Sequence, residues 1–320
     1  MLEALFPYQP DDPRQLHTAA RVVADAGIRR LWLTHSLGLD AHLLVAATAA
    51  RRPELAFGTA VSLMPTRHPL QAAVDARTLA VLTGGRFSLG LGVSEPAIVR
   101  HTLGQPWAPG PAFAREYLTV VRSLVRSGAV RHEGALLRVD AQLPALPGPP
   151  PPIMLGALGP KMARVAGELA DGCICWLSTP ERVADVIVPA VQAGAAAAGR
   201  EAPDVIAIVA AALTGNAEDA ARVAGHAFGR HLTRPHYQRV LAEQQLGGDG
   251  RDSSAAARDA LLAWGDADAI GERLRTYLDA GAARVCVAAH LWGDDPVAHF
   301  AATLQAAATA LRPVPSGAAV

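Results

Sequence analysis

Residues 77–95 read Arg-Thr-Leu-Ala-Val-Leu-Thr-Gly-Gly-Arg-Phe-Ser-Leu-Gly-Leu-Gly-Val-Ser-Glu, and this stretch decides the fold. A helical apolar pattern stops at Gly84-Gly85, and the chain then becomes a short strand, Arg86 to Gly92. The strand ends in small residues followed by a single carboxylate, Glu95. A helix-to-strand joint of this kind, repeated, builds a parallel α/β barrel. In such barrels the carboxyl ends of the strands carry the chemistry.

The same alternation extends in both directions. Strands are expected at Leu2–Phe6, Arg30–Thr34, Leu55–Leu63, Arg86–Gly92, Ile153–Gly156, Cys173–Trp176, Val205–Leu213 and Arg284–Ala289. Helical patterns lie between them, for example Asp11–Ala26, closed by Gly27, and His68–Leu82. Val130–Val139, split by Glu133-Gly134, reads as a small hairpin outside the barrel, and Pro144 to Pro152 as a stiff connector rather than a partner-binding polyproline segment. Residues 230–263, broken by Pro235 and by Gly247-Gly248-Asp249-Gly250, read as an irregular helical insertion over the barrel mouth. Eight strands each followed by helix predict a (β/α)8 TIM barrel. Residues 1–312 form one domain on this reading, and 313–320 a flexible tail.

Composition narrows the function. The chain has 320 residues, 51% of them apolar, and 29 basic side chains balance 29 acidic ones. A balanced charge gives no electrostatic reason to expect nucleic acid or an anionic membrane as partner. No apolar run reaches the roughly 20 residues a membrane span needs. The amino terminus shows no charged leader, so a cytoplasmic location is expected. Cys173, Cys175 and Cys286 fall in apolar strands with neither metal nor redox spacing, and are expected to be buried thiols.

The strand ends supply few chemical groups. His35 follows the second strand beside Thr34. It can move a proton near neutral pH or simply satisfy a loop carbonyl. Glu95 ends the fourth strand, as an acid over a low-dielectric mouth or as a cap for the next turn. Gly156-Ala157-Leu158-Gly159-Pro160-Lys161 is a strand-to-helix turn whose free amides suit an anion or a ring edge, and Lys161 could add a charge or face solvent. His290-Leu291-Trp292 end the eighth strand. His226, His231 and His236 are five apart and interrupted by Pro235, so no metal site is expected there.

Four segments together resemble the luciferase-like flavin and deazaflavin superfamily, in its branch of coenzyme F420-dependent oxidoreductases. They are Phe57-Gly58-Thr59-Ala60-Val61 with Arg67-His68-Pro69-Leu70, Gly84 to Gly92, Arg115-Glu116-Tyr117, and Ala157 to Met162 running on to Ala166 through Gly172. The resemblance implies a barrel holding a flavin-like ring at its carboxyl face. It implies a non-proline cis peptide at Ala60-Val61 behind that ring. It also implies Glu95 or His35 as the proton donor or acceptor. Candidate cofactor contacts are Thr34, Ala60, Val61, Val93, Ser94, Ala157, Leu158, Gly159 and Lys161. The cofactor it implies is F420, with FMN and monooxygenase chemistry as the alternative. A homodimer is implied by the resemblance alone, whereas the apolar loops and Trp107, Trp176 and Trp292 suggest a hydrophobic or planar small molecule, or a peptide side chain, as substrate. The amino-terminal acid of some members is replaced here by Phe6-Pro7-Tyr8, which weakens a sugar-phosphate substrate. A metal-dependent hydrolase would want histidine pairs at strand ends, and none is present; a member that only carries the cofactor is the remaining alternative.

Overall fold

The computed structural model describes residues 1–8, 10–34, 38–106, 110–246, 251–290 and 294–312, with residue 230 and residues 251–254 described by backbone alone. Eight parallel strands form a closed ring: β1 Leu2–Phe6, β2 Arg30–Leu33, β3 Ala56–Thr59, β4 Phe87–Gly92, β5 Ile153–Gly156, β6 Gly172–Cys175, β7 Asp204–Leu213 and β8 Arg284–Ala289. β8 returns to β1 through the register Leu2↔Val285 to Leu5↔Ala288, which closes the barrel. The expected (β/α)8 architecture is the observed one, and His35, Trp107, Trp292 and the tail 313–320 lie outside the described residues.

Strand alternation explains why β4 reads as it does. Phe87, Leu89 and Leu91 point outward into the layer under the helices, with Phe57, Ile153 and Leu155. Ser88, Gly90 and Gly92 therefore point inward. The interior is filled by Leu5, Trp32, Met154, Ile174, Ile206, Ile208, Cys286 and Ala288. Trp32 lies over Gly58, where a Cβ would strike its ring, and a Cβ at Gly90 would strike the Thr59 carbonyl oxygen. Because that oxygen belongs to the barrel wall, it cannot swing aside. Gly90→Ala is expected to cost about 1–3 kcal/mol. A urea unfolding midpoint equal to that of the wild type would contradict the close approach.

The amino-terminal end of the barrel is closed by charge rather than by apolar packing. Glu3 is buried and accepts a hydrogen bond from Trp32 Nε1 at 2.6 Å. Its other oxygen lies 3.3 Å from Arg30 Nε and 3.2 Å from Arg284 Nη1. Arg30 also donates to Ser88 Oγ at 2.8 Å, and Arg284 to Asp204 at 2.6 Å. Nothing in the apolar run Leu2–Phe6 announces this plug.

Outside the ring, Ala129–Glu133 and Arg138–Gln142 form the expected antiparallel hairpin. Glu116 fixes its turn by accepting from the amides of Ala135, Leu136 and Leu137. The neighbouring Arg115 holds Glu168 through two hydrogen bonds, and buried Tyr117 donates to the Arg67 carbonyl. The Arg115-Glu116-Tyr117 motif is thus structural. The insertion contains helices Pro235–Ala242 and Arg251–Leu261, and then an extra strand, Leu262–Gly265, pairing parallel with β7. The sequence reading carried the helical insertion through 263, because a four-residue apolar run is too short to show its period. All three cysteines are free and buried, and burial pushes the Cys175 thiol up to about 12. No described helix is long and apolar enough to cross a membrane.

Candidate active site at the barrel mouth

The mouth is built from the carboxyl ends of β3 to β8. β3 ends in a cis peptide between Ala60 and Val61, as the sequence motifs implied. The chain then runs through Ser62–Leu63 beside the end of β4. Val61 is thereby laid across Gly92 and Gly156: a Cβ on Gly92 would clash with Val61 Cγ2, and one on Gly156 would come within 3.1 Å of Cγ1. These glycines make room for the Val61 side chain, which lies over both of them. Beyond Gly92, Ser94 adopts a left-handed backbone with φ 69°, and its buried hydroxyl has no hydrogen-bond partner among the described residues. The three described non-glycine residues with positive φ are Ser94, Leu177 and Gln245. All three surround this opening, and residues held in a sparsely populated backbone region concentrate at functional sites.

Glu95 is 7% exposed and faces the insertion across the opening. Its Oε1 is paired with Arg234, and its Oε2 lies 3.5 Å from His236 Nδ1. Burial, and then the charges of Arg234 and Arg239, push the His236 imidazole down, which favours its neutral form. The helix Pro235–Ala242 is pinned at its far end as well. Gln244 accepts from the Thr179 amide at 2.9 Å and donates to the Leu177 carbonyl at 2.8 Å. Glu243 pairs with Arg182 at 2.8 Å, and the buried Arg182 also donates to the Leu158 carbonyl at 3.0 Å. The insertion is therefore a strap from the end of β4 to the ends of β5 and β6. Rings line its underside. His236 lies against Tyr237 at 3.8 Å between centroids with the planes tilted by 42°, Tyr237 meets His231 edge-on at 4.5 Å, and His231 meets Trp176 at 5.9 Å.

The other candidates are spread around this opening. Ala60 and Val61 pack against the inner cluster, and Val93 is half-buried beside Ser94. Ala157 is buried with its amide donating to Ile174, while Leu158 and Gly159 are half-buried. The Thr34 hydroxyl donates to the Tyr8 carbonyl at 3.4 Å. Lys161 is exposed on the first turn of the helix Pro160–Leu169. Arg234 and His236 were missed as site residues, since spacing shows only that the three histidines do not share a helix face. No group of metal-binding side chains is found among the described residues. A separate groove of about 400 Å³, lined by Arg77, Ser127, Gly128 and Pro147 to Pro151, lies where the connector enters β5, and it holds no comparable cluster.

Comparison with known proteins places this arrangement. The family profile described as luciferase-like monooxygenase matches residues 3–284. The 5,10-methylenetetrahydromethanopterin reductase of Methanopyrus kandleri is 30% identical over 215 residues, 61% of this chain and 61% of that protein, so the match spans less than two thirds of the reductase. An F420-dependent glucose-6-phosphate dehydrogenase of Intrasporangium calvum is 29% identical over 265 residues, 78% of each chain. Among solved structures, an F420-dependent secondary alcohol dehydrogenase in complex with an F420-acetone adduct superposes with a TM-score of 0.80 at 18% identity, covering 98% of this chain and 99% of that one, which shows the shared barrel. With a profile match over nearly the whole barrel, this chain is a member of the luciferase-like monooxygenase family.

Proposed function

We propose that the protein is a coenzyme F420-dependent oxidoreductase that moves a hydride between the cofactor and an activated C=C or C=N bond, or an alcohol. The observation that carries this reading is the barrel mouth, where the Val61 side chain lies over Gly92 and Gly156 and the buried Ser94 hydroxyl has no hydrogen-bond partner among the described residues. An apolar wall with one convergent unsatisfied polar group fits a planar, hydrogen-bonding ring. Relatives whose names specify F420 support the choice of ring.

In this proposal the bound deazaflavin supplies or accepts the hydride, and the chain does the rest. Val61, Gly92 and Gly156 shape the seat. Ser94, with the backbone at Val93 and at Ala157 to Gly159, fixes the ring's edge. The strap Pro235–Ala242 keeps water from the opening, with Tyr237 and Trp176 as its apolar side. Glu95 handles the proton together with His236, whose Nδ1 is 3.5 Å away, while Arg234 holds the carboxyl in place. Distances of this kind tighten when a substrate closes the site. His35 is the alternative proton carrier. The acceptor is a small molecule or a peptide side chain.

The family's monooxygenase description favours a second reading, in which reduced FMN and oxygen use the same seat. Fluorescence titration of the purified protein with oxidised F420 and with FMN separates the two. The proposal predicts saturable quenching by F420 at concentrations where FMN gives none. Saturation by FMN alone would overturn it.

A further inference from the structure

The eighth strand brings to the mouth a histidine whose ring nitrogens have no hydrogen-bond partner among the described residues. Along β8, Val285, Val287 and Ala289 face the helices, whereas Cys286 and Ala288 belong to the barrel interior. Strand alternation therefore turns His290, the next residue of the inner set, into the top layer of the barrel. The pairing Ala210↔Ala288 sets this layer level with the end of β7. His290 is 6% exposed, yet neither Nδ1 nor Nε2 has a hydrogen-bond partner. The Tyr8 ring meets it edge-on at 5.7 Å, which fixes the plane of the imidazole without bonding either nitrogen.

A buried donor or acceptor left unsatisfied destabilises a fold, and here one ring carries both. Such a group calls for a functional account, and a bound molecule that completes it supplies one. We propose that His290 is a binding residue of the mouth, which donates one hydrogen bond and accepts another from an uncharged carbonyl, hydroxyl or amide edge of the molecule held there. This rests on the reading of the mouth as the cofactor and substrate site. Charge supports an uncharged partner. Burial, and then the neighbouring His226 and His231, push the imidazole down to about 3, so the ring is neutral across the physiological range and offers one donor and one acceptor. Two partners share that chemistry: the carbonyl-and-amide edge of a deazaflavin, and the carbonyl or hydroxyl of the substrate.

The test uses the full chain labelled with ¹⁵N-histidine, with the His290 ring signals assigned by their loss in His290→Gln. Spectra are recorded on the free protein, with oxidised F420, and with F420 plus acetone as a small ketone. A shift of the His290 nitrogens on adding F420 alone assigns the contact to the cofactor, and a shift only with acetone assigns it to the substrate side. If F420 quenches as it binds but neither addition moves these signals, the proposal is overturned. If F420 does not bind, the cofactor reading fails instead, and FMN becomes the probe for the same signals. Two variants give an independent readout. His290→Leu removes both unsatisfied nitrogens at similar volume, so its ligand-free melting temperature should equal or exceed that of the wild type while the responsible probe binds about tenfold more weakly. His290→Gln retains a donor and an acceptor and should keep most of the affinity. A His290→Leu protein that melts several degrees lower and binds every probe normally would show that His290 is structural.

Discussion

Replacing Glu95 by Gln is expected to lower turnover by about 10²–10⁴-fold, the usual loss when a positioned proton carrier is removed. The structure makes this more than an inference from position. Glu95 is buried, its two oxygens face Arg234 and His236, and both partners lie on the strap across the barrel mouth. Gln keeps the size of the side chain and one acceptor, but it can neither carry the proton nor neutralise Arg234. If Glu95 were only the latch of the strap, the variant would bind F420 and substrate more weakly with turnover little changed. If it carries the proton, kcat falls while the dissociation constant of F420 moves by less than about threefold. Single-turnover oxidation of reduced F420 by an acceptor that the wild type reduces separates these cases. An unchanged rate in Glu95→Gln would transfer the role to His35.

Glu3→Ala is expected to destabilise the fold by about 3–5 kcal/mol, the cost of breaking a buried ion pair from one side. Glu3 is the shared acceptor of Arg30, Arg284 and Trp32 Nε1 at the closed end of the barrel. Burial pushes the Arg30 guanidinium down, and the Glu3 charge opposes that shift. Without the carboxylate, two guanidinium groups face each other in a poorly hydrated space, and the indole loses its acceptor. The thermal midpoint should fall by roughly 10 °C. Glu3→Gln should fall less, because an amide oxygen can still accept from Trp32. A Glu3→Ala protein melting within two or three degrees of the wild type would mean that the plug hydrates freely.

What could be read from the sequence followed the periods that strands and caps impose. The helix-to-strand joint at Gly84-Gly85 and its repetition along the chain identified the barrel, and the carboxyl end of the strand Arg86–Gly92 led to Ser94 and Glu95. Gly27 was legible as the close of the first helix, and it takes the left-handed φ of 76° that glycine allows there. Long-range pairing was not legible. Arg234 and His236 meet a carboxylate some 140 residues earlier in the chain, and no local period encodes that encounter. The charged residues of the plug come from β1, β2, β7 and β8: Glu3 is a lone polar residue inside its strand, and Arg30, Asp204 and Arg284 each stand at the start of theirs, so none announces the others. His290 stood out as a strand-end residue, but only the packing reveals that both its nitrogens lack partners.

The central claim is that the barrel mouth at the ends of β3, β4 and β5, beneath the strap, receives the cofactor ring. Hydrogen–deuterium exchange with and without saturating F420 tests it directly. Slowed exchange at residues 58–62, 90–95, 156–159 and 234–244, with residues 125–128 and 142–148 of the opposite groove unaffected, is the predicted result. Protection confined to that groove, or protection nowhere in the chain under conditions where F420 fluorescence shows binding, would contradict it.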